Sequence, residues 1–212
     1  PVQIGTLSNW SSVSAGRHHS LARKTDGTIW AWGNNSSGRL GDSSTTARSS
    51  PVQIGTLTTW SNIEAGWYHS LAVKTDGTAW AWGNNGSGSL GDGSTTARSS
   101  PVQIGTLSDW SGVSGGRTFS LAVKTDGTAW AWGVNSNGQL GDGSTTARSS
   151  PVQIGTLTDW SGVSAGSSHS LAWKTDGTAW AWGFNSSGRL GDSSNTTRSS
   201  PVKIGTLTDW SS

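Results

Sequence analysis

Residues 69–83 read HSLAVKTDGTAWAWG, and this stretch decides the fold. From His69 to Lys74, and again from Ala79 to Trp82, the side chains alternate, the period of two that a β-strand shows. Trp80 and Trp82 therefore share one face. Between the two runs lies Thr75-Asp76-Gly77-Thr78, and an Asp-Gly pair between alternating segments is the strongest short signal for a hairpin. Asn62-Ile63-Glu64-Ala65, ahead of Gly66, fits a further short strand. Val102-Gln103-Ile104 fits a fourth, and the proline that introduces it suits a sheet edge. No sustained helical period survives among so many Gly, Ser and Thr.

The same pattern returns along the chain. PVQIGTL stands at residues 1, 51, 101 and 151, and PVKIGTL at 201, so the period is 50 without an insertion. Such regularity implies recent amplification or design. Four short antiparallel strands per repeat describe a propeller blade, and a lone blade cannot cover both its faces, so blades must stack. The expected fold class is therefore all-β: a β-propeller of four 50-residue, four-stranded blades. Residues 1–212 form one repeat array, with units 1–50, 51–100, 101–150 and 151–200 and a partial copy, 201–212, placed to complete the last blade. Each unit carries tryptophan at its positions 10, 30 and 32, for example Trp110, Trp130 and Trp132. Burying one contributes roughly 4–6 kcal/mol as an upper bound. They read as core, not as exposed ligand platforms.

Composition narrows the functional classes. Hydrophobic residues are only 31% and there are 31 glycines, a balance that would suit a flexible segment. Fifteen tryptophans recurring in register argue against that. Fourteen bases against 12 acids leave a net charge of +2 with no Lys/Arg run, so the electrostatic footprint of a nucleic-acid binder is missing. No stretch approaches the apolar length of a membrane-spanning helix. Disulfide and thiolate chemistry are ruled out, because there is no Cys. Methionine is absent even at position 1, which suits a processed, excised or engineered product.

The four units can be compared with one another. They differ mainly in two windows. The first holds Arg17-His18-His19, Trp67-Tyr68-His69, Arg117-Thr118-Phe119 and Ser167-Ser168-His169. The second holds Asn34, Asn84, Val134 and Phe184, with Arg39, Ser89, Gln139 and Arg189 five residues on. A further variable position, Arg23, Val73, Val123 and Trp173, lies within a strand. In a four-stranded meander the first and third connections lie at one end of the blade and the middle hairpin at the other. All eight variable loops should therefore share one rim. Binding usually lives on loops carried by a rigid scaffold, and Trp, Tyr and Arg are favoured contact residues. The residues of the first window together with Asn34, Asn84, Val134 and Phe184 are the candidate ligand-binding set, with neutral drift at tolerant turns as the competing explanation.

Other motifs carry less. Gly86-Ser87-Gly88-Ser89-Leu90-Gly91 fits Gly-x-Gly-x-x-Gly, but no helix follows to hold a pyrophosphate. His18, His19, His69 and His169 are spread over three units, whereas a metal needs converging ligands. Asp26, Asp76, Asp126 and Asp176 suit hairpin turns. Asp42, Asp92, Asp142 and Asp192 follow Leu-Gly and read as turn-stabilising too. No catalytic set, metal site or cofactor is expected.

His69 to Gly77, then Trp80-Ala81-Trp82-Gly83, then Gly88-Ser89-Leu90-Gly91-Asp92 resemble the regulator-of-chromosome-condensation repeat. That repeat reads Gly-x-x-His-Ser-hydrophobic-Ala-Leu, Asp-Gly, Trp-Gly-x-Asn, Gly-Gln-Leu-Gly, then Pro. Gly138-Gln139-Leu140-Gly141 matches the last signature outright. The kelch repeat has a similar length, but its double glycine before a Tyr/Trp pair is absent. The resemblance implies a propeller, usually seven-bladed, in a family whose members exchange nucleotide on a small GTPase, bind chromatin, sense ultraviolet light or inhibit β-lactamase. Only Gly66-Trp67-Tyr68-His69 comes near the Gly-Trp-Arg-His-Thr loops of the light sensor. The Trp-Ala-Trp-Gly style is similar to bacterial members, many of them secreted, which favours an extracellular or cell-surface location. Four units fall short of a closed ring. The expectation is a homodimer closing an eight-bladed ring by two-fold symmetry, with a fragment of a longer array or an open polymer as alternatives. Function is expected to be non-enzymatic binding of a protein or glycan through the variable rim. The alternative is a structural, self-assembling element with no separate ligand.

Overall fold

The computed structural model describes residues 3–210 and contains sixteen strands and no helix. The first sheet comprises β1 (Trp10–Ala15), β2 (His19–Lys24), β3 (Ile29–Gly33) and β4 (Arg48–Gln53). The second comprises β5 (Trp60–Ala65), β6 (His69–Lys74), β7 (Ala79–Gly83) and β8 (Arg98–Gln103). The third comprises β9 (Trp110–Gly115), β10 (Phe119–Lys124), β11 (Ala129–Gly133) and β12 (Arg148–Gln153). The fourth comprises β13 (Trp160–Ala165), β14 (His169–Lys174), β15 (Ala179–Gly183) and β16 (Arg198–Lys203). Each is an antiparallel meander in chain order. This is a four-blade β-propeller array.

The outer strand differs from its sequence reading. It begins at Arg98, three residues ahead of Pro101, and stops before Ile104. Gly83 pairs with Arg98, and the register shifts between Ala81 and Gly83. As the edge strand it has one neighbour, so Pro101 removes no ladder bond. The sheets are thus offset from the fifty-residue units, and the partial fifth copy contributes the second half of β16 to the fourth sheet.

Consecutive blades bury alternating faces of their strands against each other. At the first seam, Leu21, Ile29, Ala31, Leu40 and Ile54 meet Trp60, Ile63, Ala65, Ala72 and Trp82 of the next blade. The same residue positions meet at the other two seams. Trp60 lies edge-on to Trp80, with ring centroids 6.1 Å apart, and 6.3 Å from Trp82. Trp82, Trp132 and Trp182 are fully buried. Their outer companions Trp80, Trp130 and Trp180 are half-buried. Each of these donates its indole N–H to the hydroxyl two residues earlier, Trp80 to Thr78 Oγ1 at 2.9 Å. Lys74 Nζ sits 3.8 Å from the Trp80 ring. Indoles buried between blades are what holds the array together.

The Leu-Gly-Asp signature has a division of labour. Leu90 fills the seam. Gly91 sits at φ +71°, and a Cβ there would lie 2.8 Å from Trp132 Nε1, so only glycine admits the neighbour's indole. Asp92 accepts from Ser94 N at 3.0 Å and pairs with Arg98 at 2.8 Å. Asn85, buried at the centre of this loop, donates to Asp92 Oδ1, Ser94 O and Thr96 O at 3.1 Å and accepts from Leu90 N at 3.0 Å. Asn85→Ala leaves those backbone groups unpaired and should cost about 2–3 kcal/mol. Hydrogen exchange at the Leu90 amide should accelerate; protection unchanged from the parent chain would refute the hub role.

Candidate functional site

In every blade the first and third connections meet at one end. Asn34 N donates to His18 O at 2.8 Å, Asn84 N to Tyr68 O at 2.9 Å, Val134 N to Thr118 O at 3.0 Å and Phe184 N to Ser168 O at 2.9 Å. The two variable windows are thus hydrogen-bonded to each other within each blade. Trp67 N donates across the seam to Gly116 O at 3.1 Å, which ties the rim of one blade to the next. The constant hairpin lies at the other end. There Asp76 Oδ1 accepts from Thr78 N at 2.9 Å and Thr78 Oγ1 at 2.7 Å, and these bonds hold its carboxyl below the ordinary range. Its constancy is turn chemistry.

On the rim, side chains of different blades converge. Arg17 Nη1 donates to Tyr68 Oη at 3.1 Å, and its guanidinium lies 4.8 Å from the Trp67 ring. Arg117, one blade further on, lies 5.5 Å from the same indole. Arg39 lies 5.5 Å from the Tyr68 ring, and His18 is 6.1 Å from it. Thr118, Val134, Ser167 and Ser168 line a shallow cavity of about 270 Å³ with Tyr68 and Gln139. Phe184 carries Arg189 at 4.7 Å. Asn34 Oδ1 is occupied by its own turn, accepting from Ser36 N at 3.1 Å, and Asn84 does the same for Gly86 N at 3.4 Å. An open cavity of about 890 Å³ runs along the inner strands from this rim, lined by Arg17, Glu64, Trp67, Ser114, Ser164 and Trp173.

Three candidate contact residues are not on the rim surface. His19, His69 and Phe119 are buried in the seams. Each begins its strand, so the period of two sends its side chain to the seam face with Leu21, Leu71 or Leu121. His69 Nε2 meets Ser120 Oγ at 2.9 Å, and that hydroxyl donates to Ser89 O at 2.8 Å. His19 makes the same clasp with Ser70 at 2.8 Å, and Ser70 with Arg39 O at 2.7 Å. Each serine proton is committed to a carbonyl, so the imidazole Nε2 donates. Both Nδ1 atoms are buried without an acceptor. Burial, aided by Arg39, therefore pushes His69 down to about 4 and His19 to about 3. These are interblade clasps. His169 faces the open front of the fourth blade, half-buried, and burial lowers it as well.

Among the described residues, no group of three or more His, Cys, Asp or Glu side chains converges as a metal site. What the geometry offers is a hydrogen-bonded rim on which aromatic and cationic side chains of adjacent blades meet. The family model described as the RCC1-like domain matches residues 1–211. The chain belongs to the RCC1-like family.

Several solved structures superimpose on it closely. Human WBSCR16 shares 23% identity at a TM-score of 0.84, over 93% of this chain and 53% of its own. Prp20p from Saccharomyces cerevisiae, described with its binding to Gsp1p and histones, shares 23% at 0.83, over 97% and 53%. Yeast RCC1 (Prp20) bound to Kap60 gives 22% and 0.83, over 96% and 50%. At these identities the likeness is one of fold. The chain spans about half the length of these solved RCC1-like chains. Within the RCC1-like blade, sequence reading singled out the variable Asn84 and passed over the constant Asn85, which organises the loop. It also passed over Ser70 and Ser120, the acceptors of the clasps. The available signal was their constancy in all four units beside varying neighbours.

Proposed function

We propose that this chain is a non-enzymatic propeller scaffold that binds a protein or glycan through the variable loops of one rim. The observation that carries the reading is the convergence of the windows. Apart from His19, His69 and Phe119 in the seams, the residues of the two variable windows lie at one end of the blades, and Trp67, Tyr68, Arg17 and Arg117 meet there across seams. Prp20p, described with its binding to Gsp1p and histones, and yeast RCC1, described as bound to Kap60, support a protein over a glycan. Selection from a random-peptide library, alongside a glycan array, tests the proposal with the parent chain and a Trp67→Ala/Tyr68→Ala variant. Binders should lose about tenfold in affinity per anchor removed. Binders retained equally by the variant would defeat it.

A second reading, self-assembly, is favoured by the open ends. Val13 on the back of the first blade is 73% exposed, whereas its counterparts Ile63 and Val113 are buried. Leu171 and Ile204 on the front of the fourth are only half-buried. These surfaces are the two halves of the seams already formed inside the chain, down to the clasp: His169 on the front, Ser20 on the back. Two copies also have about the length of one solved relative. A homodimer closing an eight-bladed ring satisfies both ends. Light scattering should give about twice 21.9 kDa; a stable monomer would exclude the ring.

A further inference from the structure

The rim of the first three blades carries charge of one sign. We propose that Arg17 and Arg117, held on Trp67 and reinforced by Arg39 beneath Tyr68, form a docking site for an acidic segment of a partner protein. This rests on the rim-binding reading and narrows it to one chemistry. Arg17 and Arg117 come from the blades on either side of Trp67 and lie 4.8 and 5.5 Å from its ring. A guanidinium resting on an aromatic face keeps its N–H edge free for a planar acceptor, and a carboxylate takes two of those bonds at once.

The counter-charge is missing from the chain itself. Arg48, Arg98, Arg148 and Arg198 each pair with an aspartate, but among the described residues Arg17, Arg39 and Arg117 pair with none. Arg39 is 4% exposed, donates to Ser36 Oγ at 3.0 Å and leaves its Nε without an acceptor. A buried charge is ordinarily paired. Of its counterparts, Ser89 and Gln139 are neutral and hydrogen-bonded, Ser89 to Asn84 O at 2.9 Å and Gln139 to Asn137 N at 2.8 Å, whereas Arg189 is cationic and stands alone over Phe184 on the fourth blade. What sets the first three blades apart is that Arg17, Arg39 and Arg117 gather around one pair of aromatic rings, Trp67 and Tyr68. Glu64 lines the same cavity, but its Oε2 accepts from Ser14 Oγ at 3.3 Å and it forms no ion pair.

Carboxylates fit better than nucleic acid. The two arginines occupy Trp67, leaving little bare indole on which bases would stack, and no run of Lys or Arg continues along a phosphate backbone.

The test is fluorescence anisotropy of the intact chain with a labelled oligoglutamate peptide at low salt, with oligoglutamine and oligothymidine as controls. Oligoglutamate should bind saturably, weaken with salt and exceed both controls. Arg17→Gln and Arg117→Gln, both on exposed loops, should each weaken it about fivefold, and together abolish it. Absent binding, binding unchanged in the double variant, or tighter binding of oligothymidine would overturn the site. The library selection separates the two readings. Peptides that need Trp67 and Tyr68 yet carry no acidic residues would sink this proposal alone; peptides indifferent to the rim would sink both.

Discussion

Trp132→Ala should destabilise the chain by about 3–5 kcal/mol. Trp132 is fully buried, its Nε1 donates to Ser89 O at 2.9 Å, and its ring lies 6.1 Å from Trp110 in an edge-on pair. Removing the indole opens a cavity under Gly91, which has no side chain to collapse into it. It also leaves the Ser89 carbonyl with only the Ser120 hydroxyl. The array contains its own control. Trp32 occupies the same place in the first blade but is half-buried on the open back, so Trp32→Ala should cost less than half as much in dilute solution. Urea denaturation of the two variants measures the difference. Equal losses at all concentrations would mean that seam burial is not what stabilises the indoles. A Trp32→Ala cost that grows as the chain is concentrated is the signature of a covered end.

Acid should loosen the seams well above the range in which carboxylates titrate. His19 and His69 are held neutral in the folded chain, at about 3 and about 4 against an ordinary 6.5. A lowered folded pKa means that the unfolded chain binds more protons below pH 6.5. The stability from these groups is therefore complete above 6.5 and is lost as pH falls toward 4 and 3. Each should cost about 2 kcal/mol by pH 5. The paired aspartates Asp42, Asp92 and Asp142 lie below their ordinary 3.8, so they contribute little to this window. His69→Phe separates the cause. Phe119 fills the equivalent place in the third blade, packed on Gly116 as His69 packs on Gly66, so the seam already accommodates phenylalanine there. Denaturation midpoints at pH 7.5 and pH 5 should differ clearly less in His69→Phe than in the parent chain, with His19 and His169 supplying what remains. A parent midpoint that does not move between those two values would contradict the neutral clasp.

The acid sensitivity also shows how a candidate contact residue became a structural one. His69 varies among the units, stands beside Trp67 and Tyr68, and looks like one of the set. Its parity with Leu71 and Val73 already placed it on the seam face, and that signal was readable in the chain. Trp67 and Tyr68 precede the strand, where no period of two applies, so their direction is set by the contacts they make with the neighbouring blades. Arg39 is similar. Its variability was legible, but its burial beneath the Tyr68 ring depends on a neighbouring blade.

The blade is legible in the chain: the Asp-Gly hairpin, the paired strands around it, the fifty-residue period and the tryptophans that pack where blades meet. Those are consequences of local turn geometry and of the alternation that any strand imposes. Only the tertiary structure decided which copies of one residue are covered. Trp32, Trp82, Trp132 and Trp182 stand in identical Trp-Ala-Trp-Gly surroundings, yet the first is half-buried and the others are sealed. Burial is a property of what lies across the seam, and among the described residues nothing lies across the back of the first blade, where Trp32 sits.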